Sequence, residues 1–410
     1  MISDTGIDDK NLSAKVKIRI ENVFKVFGNK PDKALALSRS GKEKADIYAE
    51  TGSTIGVNDA SLEIREGEIF VIMGLSGSGK STLLRLLNRL IEPSAGSIEI
   101  NGTDITKMSN RELIELRRRD MSMVFQSFAL LPNRNVINNT AFGLEVAGVD
   151  ESERHTKALA ALKAVGLEAY ATSSPDELSG GMKQRVGLAR ALASEPTILL
   201  MDEAFSALDP LIRTEMQDEL MRLQAEHSRT IVFVSHDLDE AMRIGDRVCI
   251  MQNGRIIQVG TPDEIILKPA NEYVRSFFRN VDIAHVFKAR NVVRNNQIAV
   301  FDRQGVAAPV ALGRMQQDDH DVAIILGSGK EYLGMISLES LLEKVNADDA
   351  DPYRGAFLQS IEPILADEPL SDVMGRIADS RWPAPVVDEQ KRYIGSISKS
   401  SLLEVLDRAH

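Results

Sequence analysis

The chain has 410 residues, of which 43% are hydrophobic and 27% are charged, and its formal net charge is −11. This length allows two or three globular domains, while the acidic balance argues against a general nucleic-acid binder and against broad attachment to anionic lipid. No apolar run reaches the about 18 residues of a membrane span, and the N-terminal sequence lacks the basic and apolar regions of a secretory signal. The single cysteine, Cys249, cannot form an internal disulfide, which fits a reducing cytoplasm, and it is expected to fill the core beside a strand.

Apolar patterns predict the elements of the first part of the chain. Residues 17–27 are typical of a strand that leads to a turn at Gly28, and a polar, helix-prone stretch follows from Pro31 to about Glu50. Further strands are predicted at 57–64, 68–73, 197–201 and 230–234, and a helix at 78–90. The continuous apolar runs are typical of strands buried on both faces. The pattern therefore predicts an α/β domain with a parallel core sheet.

The last part of the chain contains an internal repeat. YLGMISLESLLEKV, from Tyr332, and YIGSISKSSLLEVL, from Tyr393, are identical at eight of fourteen positions. Each copy predicts a strand, a turn and a helix, and such repetition indicates two packed copies of one supersecondary unit. The acidic stretch 346–355 is expected to link the two copies, and the boundary with the α/β domain is expected around 280–295.

A glycine-rich loop lies between a predicted buried strand and a predicted helix. Residues 74–81, GLSGSGKS, fit the pattern G-x-x-x-x-G-K-[ST] in the context that this pattern requires. Its glycines let backbone N–H groups approach phosphate oxygens. Lys80 is expected to reach the β- and γ-phosphates, and the Ser81 hydroxyl is expected to ligate Mg²⁺. The alternative, a glycine-rich turn without a ligand, is disfavoured by the combination of Lys, Ser and strand–helix context.

Polar side chains follow three further apolar runs. Asp202 and Glu203 come directly after ILLM, where Asp202 suits a Mg²⁺ partner and Glu203 is placed to polarise water against a γ-phosphate. His236 follows TIVFVS and Gln126 follows MSMVF, so both are expected at the carboxyl edge of a parallel sheet, where ligands bind. His236 is predicted to contact the γ-phosphate, and Gln126 to reach Mg²⁺ or water. The other histidines stand in polar or irregular contexts and are interpreted as structural or exposed.

A second anion-binding loop is predicted at 178–192, LSGGMKQRVGLARAL. Here Ser-Gly-Gly stands at the start of a helical pattern. A helix N-terminus preceded by small residues binds anions, because its unpaired N–H groups and its dipole point at the ligand. One chain therefore offers two phosphate-binding loops.

Taken in order, these motifs resemble the ATP-binding subunits of ABC transporters over about residues 17–265. The shared features are the phosphate loop, Gln126, the signature LSGGM, the Asp202–Glu203 pair, SALD at 206–209 and His236. The common LSGGQ signature is altered by Met182, which leaves the Ser and Gly donors in place. The resemblance implies a P-loop NTPase fold with a helical signature subdomain. It also implies a homodimer in which the phosphate loop of one subunit faces the signature loop of the other.

The resemblance further implies a role for individual residues. Phe27 matches the position of an aromatic ring that stacks on adenine. The remaining ATP contacts fall on Gly74, Ser76, Gly77, Ser78, Gly79, Lys80, Ser81, Thr82, Ser179, Gly180, Gly181 and Asp209. Catalysis falls on Glu203, His236 and Gln126, and Mg²⁺ ligation on Ser81, Gln126 and Asp202.

Two features narrow the resemblance to the ATPase subunits of glycine betaine/proline betaine importers. One is the insertion between Phe27 and the next strand, at 28–56, and the other is the C-terminal repeat, which resembles a pair of CBS modules. A decorative surface helix and a dimerisation module without sensing are the respective alternatives. For the whole chain, the alternatives are an importer of another solute, such as an amino acid, and a soluble non-transport ABC ATPase. The latter would carry two ATPase units or long coiled coils, which are not found in the sequence.

The expected organisation is an N-terminal tail at 1–16, an ABC ATPase domain at 17–280 and tandem CBS modules at 281–345 and 356–410. The helical signature subdomain is expected at about 126–195. Separate membrane permease subunits and, indirectly, an extracytoplasmic solute-binding protein are the implied partners. No nucleic-acid partner is implied. The expected location is the cytoplasmic face of the inner membrane, as a peripheral subunit.

The CBS-like repeat departs from its family in an informative way. Ligand-binding CBS modules often carry G-x-x-[ST]-x-x-D, in which the Asp holds ribose hydroxyls, whereas Gly334–Ser340 and Gly395–Ser401 both end in Ser. This puts adenosine-ligand sensing in doubt. Basic residues cluster at Lys391, Arg392 and Lys399, which suggests the hypothesis that this unit senses ionic strength through an anionic surface.

Overall fold

The computed structural model describes residues 15–126, 129–206, 208–278, 284, 287–302, 307–318, 320–346, 355–358 and 361–407. The chain divides into two compact units, Met1–Arg275 and Ser276–His410. No helix in these described ranges is both long and apolar enough to cross a membrane.

The first unit contains two sheets. Its strands are β1 Val16–Phe27, β2 Thr54–Arg65, β3 Ile69–Met73, β4 Ala95–Ile100, β5 Thr103–Asp104, β6 Met121–Val124, β7 Ile198–Asp202, β8 Thr230–Ser235, β9 Arg247–Gln252 and β10 Arg255–Gly260. The larger sheet has the order β10-β9-β3-β8-β7-β6, and its strands are parallel except for β10. Every residue of β3, β7 and β8 is buried, as expected for strands covered on both faces. This confirms the predicted parallel core, and Cys249 lies fully buried in β9.

The strands at 17–27 and 57–64 lie in the smaller sheet instead of the parallel one. This sheet is antiparallel and has the order β2-β1-β4-β5. Their apolar residues pack in the same core as the inner face of the parallel sheet, so Ile18, Val57, Phe70 and Leu83 belong to one cluster. The alternation of β2, with exposed residues at every second position near its end, marks a strand that is covered on one face.

The helices of the first unit connect these strands. They are α1 Pro31–Arg39, α2 Lys44–Thr51, α3 Lys80–Leu87, α4 Asn110–Asp120, α5 Val136–Thr140, α6 Phe142–Val146, α7 Glu151–Ala164, α8 Gly180–Leu192, α9 Pro210–His227, α10 Leu238–Ile244, α11 Pro262–Leu267 and α12 Glu272–Ser276. The polar insertion forms α1 and α2, with Ala34 and Ile47 buried against the edge of the antiparallel sheet. Between β6 and β7 the described residues contain helices and turns but no strand.

Helix α3 is shorter than the pattern predicts. It ends at Leu87 because Arg89 takes a left-handed backbone conformation, with φ of 53°. The Arg89 guanidinium donates to the carbonyl oxygens of Ile105 and Met108 at 2.8 and 2.7 Å. These hydrogen bonds to a later segment keep Arg89 out of the helix, and no local sequence pattern predicts them.

The second unit repeats one arrangement. Its strands are β11 Ile298–Phe301, β12 Val322–Leu326, β13 Tyr332–Ser337, β14 Ile364–Leu365, β15 Ala384–Val387 and β16 Tyr393–Ile397. Its helices are α13 Ala289–Val292, α14 Ala307–Gln317, α15 Leu338–Asn346, α16 Leu370–Asp379 and α17 Lys399–Asp407. Each of its two sheets pairs the first two strands in parallel and the last two antiparallel.

The two copies also share an irregularity in the same place. The register shifts between the pairs Ile325–Gly334 and Leu326–Tyr332 in one copy, and the equivalent strands of the second copy shift at Gly395 and Tyr393. In each copy a helix follows the last strand, as the sequence repeat predicts. The expected acidic link at 346–355 lies mostly outside the described residues.

Candidate active site

The phosphate loop connects the end of β3 to the start of α3. Gly74, Gly77 and Gly79 have φ of 151°, 76° and 105°, a region that side chains disfavour. A Cβ on Gly74 would lie 2.3 Å from the carbonyl oxygen of Met251, and one on Gly79 would lie 2.3 Å from that of Gly56. The path of the loop thus requires glycine for its backbone conformation and, at two positions, for close approach of another strand.

Lys80 curls over this loop. Its ammonium donates to the carbonyl oxygens of Gly74 at 2.9 Å and Leu75 at 3.2 Å, and the residue is 5% exposed. Burial lowers the pKa of Lys80, while the carboxylates of Glu203 and Asp202 oppose that shift. Neutral carbonyls are weaker partners for an ammonium than an anionic phosphate oxygen, so this arrangement leaves Lys80 ready to bind phosphate.

Two distant segments hold the loop in place. The Gly254 N–H donates to the carbonyl of Ser78 at 2.8 Å, from the turn between β9 and β10. The Tyr273 hydroxyl, on α12, donates to the carbonyl of Met251 at 3.0 Å and accepts the Leu75 N–H at 3.4 Å. The sequence offered no signal for Tyr273, because it lies far along the chain in a segment without a motif.

Phe27 lies beside the first turn of α3. A Cβ on Gly56 would lie 2.6 Å from Cε2 of Phe27 and 3.4 Å from Cγ2 of Thr82, so the ring, Gly56 and the helix are neighbours. The Lys25 ammonium lies 5.1 Å from the ring centroid. Phe27 is nevertheless 41% exposed, which leaves ring surface available to a planar base.

Glu203 stands at the centre of the predicted catalytic residues. Its carboxylate accepts a hydrogen bond from Gln126 Nε2 at 3.1 Å. It also lies 3.5 Å from His236 Nδ1 and 3.9 Å from Lys80 Nζ. The backbone of Glu203 has φ of 47°, which is costly for a residue with a Cβ, and its N–H is anchored on the Val234 carbonyl at 3.1 Å. The carboxyl ends of β6, β7, β8 and β3 therefore bring all four side chains together.

Asp202, the last residue of β7, is 2% exposed. Its Oδ2 accepts two N–H groups of Arg85, from Nε at 3.2 Å and Nη2 at 2.9 Å. Its Oδ1 is buried and has no hydrogen-bond partner among the described residues. Arg85 was not singled out from the sequence, although its spacing of four residues from Ser81 on a predicted helix was a usable signal.

Hydrogen bonds hold the two residues that flank His236, Ser235 and Asp237. Ser235 donates to the buried carboxylate of Glu240, and the Asp237 N–H donates to the Ser235 hydroxyl at 2.9 Å. Arg213, on α9, donates to Asp237 at 2.8 Å. Burial raises the pKa of the Glu240 carboxyl. This network ties the chain segment that carries His236 to the helix that follows Asp209.

The signature loop forms a capped helix start, as predicted. Ser179 caps α8 by accepting the Met182 N–H at 3.3 Å, and Asp209 caps α9 by accepting the Ile212 N–H at 3.1 Å. A Cβ on Gly181 would lie 2.8 Å from Cγ2 of Ile212, so glycine permits close packing of these helix starts. Ser179 is exposed, and within the described residues no hydrogen bond or ion pair links this loop to the phosphate loop of the same chain.

In the second unit, both serines at the expected ribose position have local partners. Ser340 donates to the Ala356 carbonyl at 2.9 Å and accepts the Ser337 N–H at 3.1 Å. Ser401 donates to the carbonyl of Ser398 at 2.9 Å and accepts its N–H at 2.9 Å. These hydroxyls stabilise the starts of α15 and α17, and neither supplies a carboxylate.

The basic cluster of the second unit is smaller than the sequence indicated. Arg392 donates to Asp388 at 2.7 Å, which compensates its charge. Lys391 and Lys399 form no ion pair with any described residue.

The residues at the sheet edge also fit the groups that the motifs imply. The N-terminus of α3, which follows the glycine-rich loop, suits nucleotide phosphates together with the Lys80 ammonium. No cluster of three or more metal-binding side chains exists among the described residues. Mg²⁺ bound to a nucleotide needs few protein ligands of the oxygen type, and the unpartnered Oδ1 of Asp202 beside the phosphate loop is such an oxygen.

Comparison with known proteins agrees with this geometry. A family model described as ABC transporter matches residues 57–206, and one described as CBS domain matches residues 360–408. The glycine betaine/proline betaine transport system ATP-binding protein ProV of Salmonella typhimurium is 54% identical over 96% of this chain and 98% of its own length. The chain belongs to the ABC transporter ATP-binding proteins.

Two further relatives support the assignment. The glycine betaine/carnitine transport ATP-binding protein GbuA of Listeria monocytogenes is 47% identical, and the match covers 95% of the present chain and 97% of GbuA. A solved dimeric ATP-binding cassette, in a post-hydrolysis state with ADP and phosphate, is 31% identical with a TM-score of 0.51, covering 60% of this chain and 98% of that one. The nucleotide-binding fold of the first unit and a CBS domain in the second are thus established.

We expect Phe27→Ala to weaken ATP binding by about 1–3 kcal/mol, because base–aromatic stacking contributes that much in nucleic-acid complexes. The measurement is titration of the ABC ATPase with a fluorescent ATP analogue. Tyr48→Ala, which removes a more exposed aromatic ring from α2, is the control and should bind as the wild type does. Weaker binding in the Tyr48 variant alone would assign stacking to that ring instead.

Proposed function

We propose that this ABC ATPase powers the import of glycine betaine, proline betaine or a related compatible solute, in osmotic adaptation. The observation that carries the proposal is the 54% identity to a glycine betaine/proline betaine transport protein over 96% of the chain. The solute passes through separate permease subunits, and an extracytoplasmic solute-binding protein delivers it. The ABC ATPase is then a peripheral subunit on the cytoplasmic face of the membrane.

The proposed chemistry follows from the residues at the sheet edge. Backbone N–H groups of residues 74–82 and the Lys80 ammonium bind the phosphates of ATP, and Phe27 stacks on adenine. Glu203 accepts a proton from the attacking water or orients it, and Gln126 and His236, which contact its carboxylate, complete the site. His236 also contacts the γ-phosphate.

Ser81, Gln126 and Asp202 are proposed to hold Mg²⁺ directly or through water. Their hydroxyl, amide and carboxylate oxygens are the ligands that this hard cation prefers. When bound with the nucleotide, Mg²⁺ neutralises charge on the β- and γ-phosphates.

The second anion loop is proposed to act on the ATP of a second copy of the chain. Ser179 and Gly180 are exposed at the start of α8, and the N-terminus of a helix favours anions through its N–H groups and its dipole. Two ATP molecules would then close a homodimer, with Asp209 near the partner, and hydrolysis would release it. The dimeric state of the related cassette supports this arrangement.

We expect Glu203→Gln to bind ATP, to lose nearly all hydrolysis and to accumulate a closed dimer, because the amide keeps the shape but cannot accept a proton. Phosphate release measures hydrolysis, and light scattering with ATP measures the dimer. The control is Glu195→Gln, since Glu195 also has a left-handed backbone, with φ of 50°, but lies outside the site. Turnover like the wild type in the Glu203 variant contradicts its role, and a monomer with bound ATP contradicts the shared site.

The solute is tested on the complex of the ABC ATPase with its permease and solute-binding protein in liposomes. We expect glycine betaine and proline betaine to stimulate ATP hydrolysis, and amino acids without a quaternary amine to leave it at the basal rate. Stimulation by such an amino acid alone would favour the alternative importer. Hydrolysis that is indifferent to every solute would favour a non-transport ATPase.

The second unit is proposed to control the ABC ATPase through ionic strength. Neither repeat carries the ribose-binding carboxylate, and Lys391 and Lys399 remain uncompensated among the described residues. Each such charge contributes about 1 kcal/mol near an anionic lipid surface, so two contribute about 2 kcal/mol. Salt screens these contacts, because the Debye length falls from about 10 Å at 0.1 M to about 3 Å at 1 M. Rising salt would then release an inhibited state.

We expect the double change Lys391→Ala and Lys399→Ala to make transport-coupled ATPase active at low salt in anionic liposomes. Arg392→Ala should shift the response less, since Asp388 already compensates that charge. The measurement is the salt concentration at half-maximal activity. If the double variant switches on at the wild-type concentration, the unit serves only as a passive dimer clamp.

A further inference from the structure

The helix that begins at the phosphate loop carries Arg85, which contacts the end of β7. Ser81 and Arg85 are four residues apart on α3 and therefore share one face of the helix. Arg85 donates two N–H groups to the same oxygen of Asp202, Oδ2, at 3.2 and 2.9 Å. The other oxygen, Oδ1, is buried and has no hydrogen-bond partner in the described part of the chain.

This geometry is unlike that of a surface ion pair. The side chain of Asp202 is 3% exposed, whereas its partner Arg85 is 42% exposed. Burying a carboxylate is costly unless a charge and hydrogen bonds compensate it. A guanidinium remains charged and presents its N–H groups in a rigid plane, so it compensates the charge and also limits rotation of the carboxylate.

The unequal use of the two oxygens has a consequence for the metal site. With Oδ2 occupied by Arg85, rotation of the carboxylate would break two charge-assisted hydrogen bonds. Oδ1 is therefore kept as the oxygen available to another partner.

We propose that Arg85 is a positioning residue for Mg²⁺: it holds Oδ2 of Asp202 so that Oδ1 faces the ion or its water shell. The inference rests on the proposed role of Asp202 as a Mg²⁺ partner. In this role Arg85 acts through Asp202, the residue that it holds. Residues that orient a metal ligand in this way alter metal affinity by about 10–100-fold when they are removed.

The test separates metal affinity from nucleotide affinity. The dissociation constant of a fluorescent ATP analogue is measured with the full-length ABC ATPase, first in EDTA and then across a Mg²⁺ titration. We expect Arg85→Gln to bind the analogue in EDTA as the wild type does, and to need at least about 10-fold more Mg²⁺ for half of the magnesium-dependent change. Arg85→Lys, which keeps the charge but loses the planar pair of donors, should lie between the two.

Arg19 provides a matched control. Its side chain is also 42% exposed and lies 2.9 Å from a carboxylate, that of Glu63, but this partner is 50% exposed and lies on the antiparallel sheet. Arg19→Gln should therefore leave the Mg²⁺ requirement unchanged. Thermal unfolding of each variant reports whether the fold is kept.

Asp202→Asn distinguishes the inference from the function on which it rests. If Asp202→Asn raises the Mg²⁺ requirement and Arg85→Gln does not, the positioning role is wrong while the metal role of Asp202 stands. If Asp202→Asn leaves the requirement unchanged, the metal role itself is wrong. An equal loss of affinity with and without Mg²⁺ in Arg85→Gln means that Arg85 is only structural. Positioning through Asp202 also requires that Arg85→Gln add no further effect in the Asp202→Asn background.

Discussion

Parallel pairing of β3, β8, β7 and β6 is the constraint on which the site depends. Parallel strands all end at one edge of a sheet, so whatever follows each strand is brought to the same place. The phosphate loop follows β3, His236 follows β8, and Asp202 and Glu203 end β7. Gln126 follows β6 after one intervening residue. Residues separated by more than a hundred positions therefore contact one another without any local signal.

Such convergence places charged groups where water is scarce, and the structure compensates them by pairing. Lys80 lies near Glu203, Asp202 accepts Arg85, and Glu203 also accepts Gln126. Two of these groups remain available to a ligand. The Lys80 ammonium donates to neutral carbonyl oxygens, and Oδ1 of Asp202 has no hydrogen-bond partner among the described residues. The strained backbone of Glu203 fits the same interpretation, since strain of this kind persists where the surroundings fix a functional side chain.

The second unit illustrates how repetition and chemistry can diverge. Its two copies keep the strand pairing, the register shift and the serine-capped helix, because these features stabilise each copy. Tyr332 and Tyr393, which begin the repeats, stack with ring centroids 6.5 Å apart. The fold of a CBS domain is thus retained where the carboxylate associated with a ribose ligand is replaced by a helix cap.

Elements with local signals could be predicted from the amino-acid pattern alone. Continuous apolar runs gave β3, β7 and β8, the glycine pattern gave the phosphate loop, and the internal repeat gave the strand–helix units of the second half. The pattern also indicated which residues carry the chemistry, because polar side chains stand directly after buried strands. Features that depend on contacts between distant segments were visible only in the folded structure. Four features are of this kind: the antiparallel sheet of β1 and β2, the early end of α3 before Arg89, the hydrogen bonds of Tyr273 beside the phosphate loop, and the pairing of Arg85 with Asp202. Each rests on a hydrogen bond or close approach between residues far apart in the chain, and periodicity carries no information about such contacts.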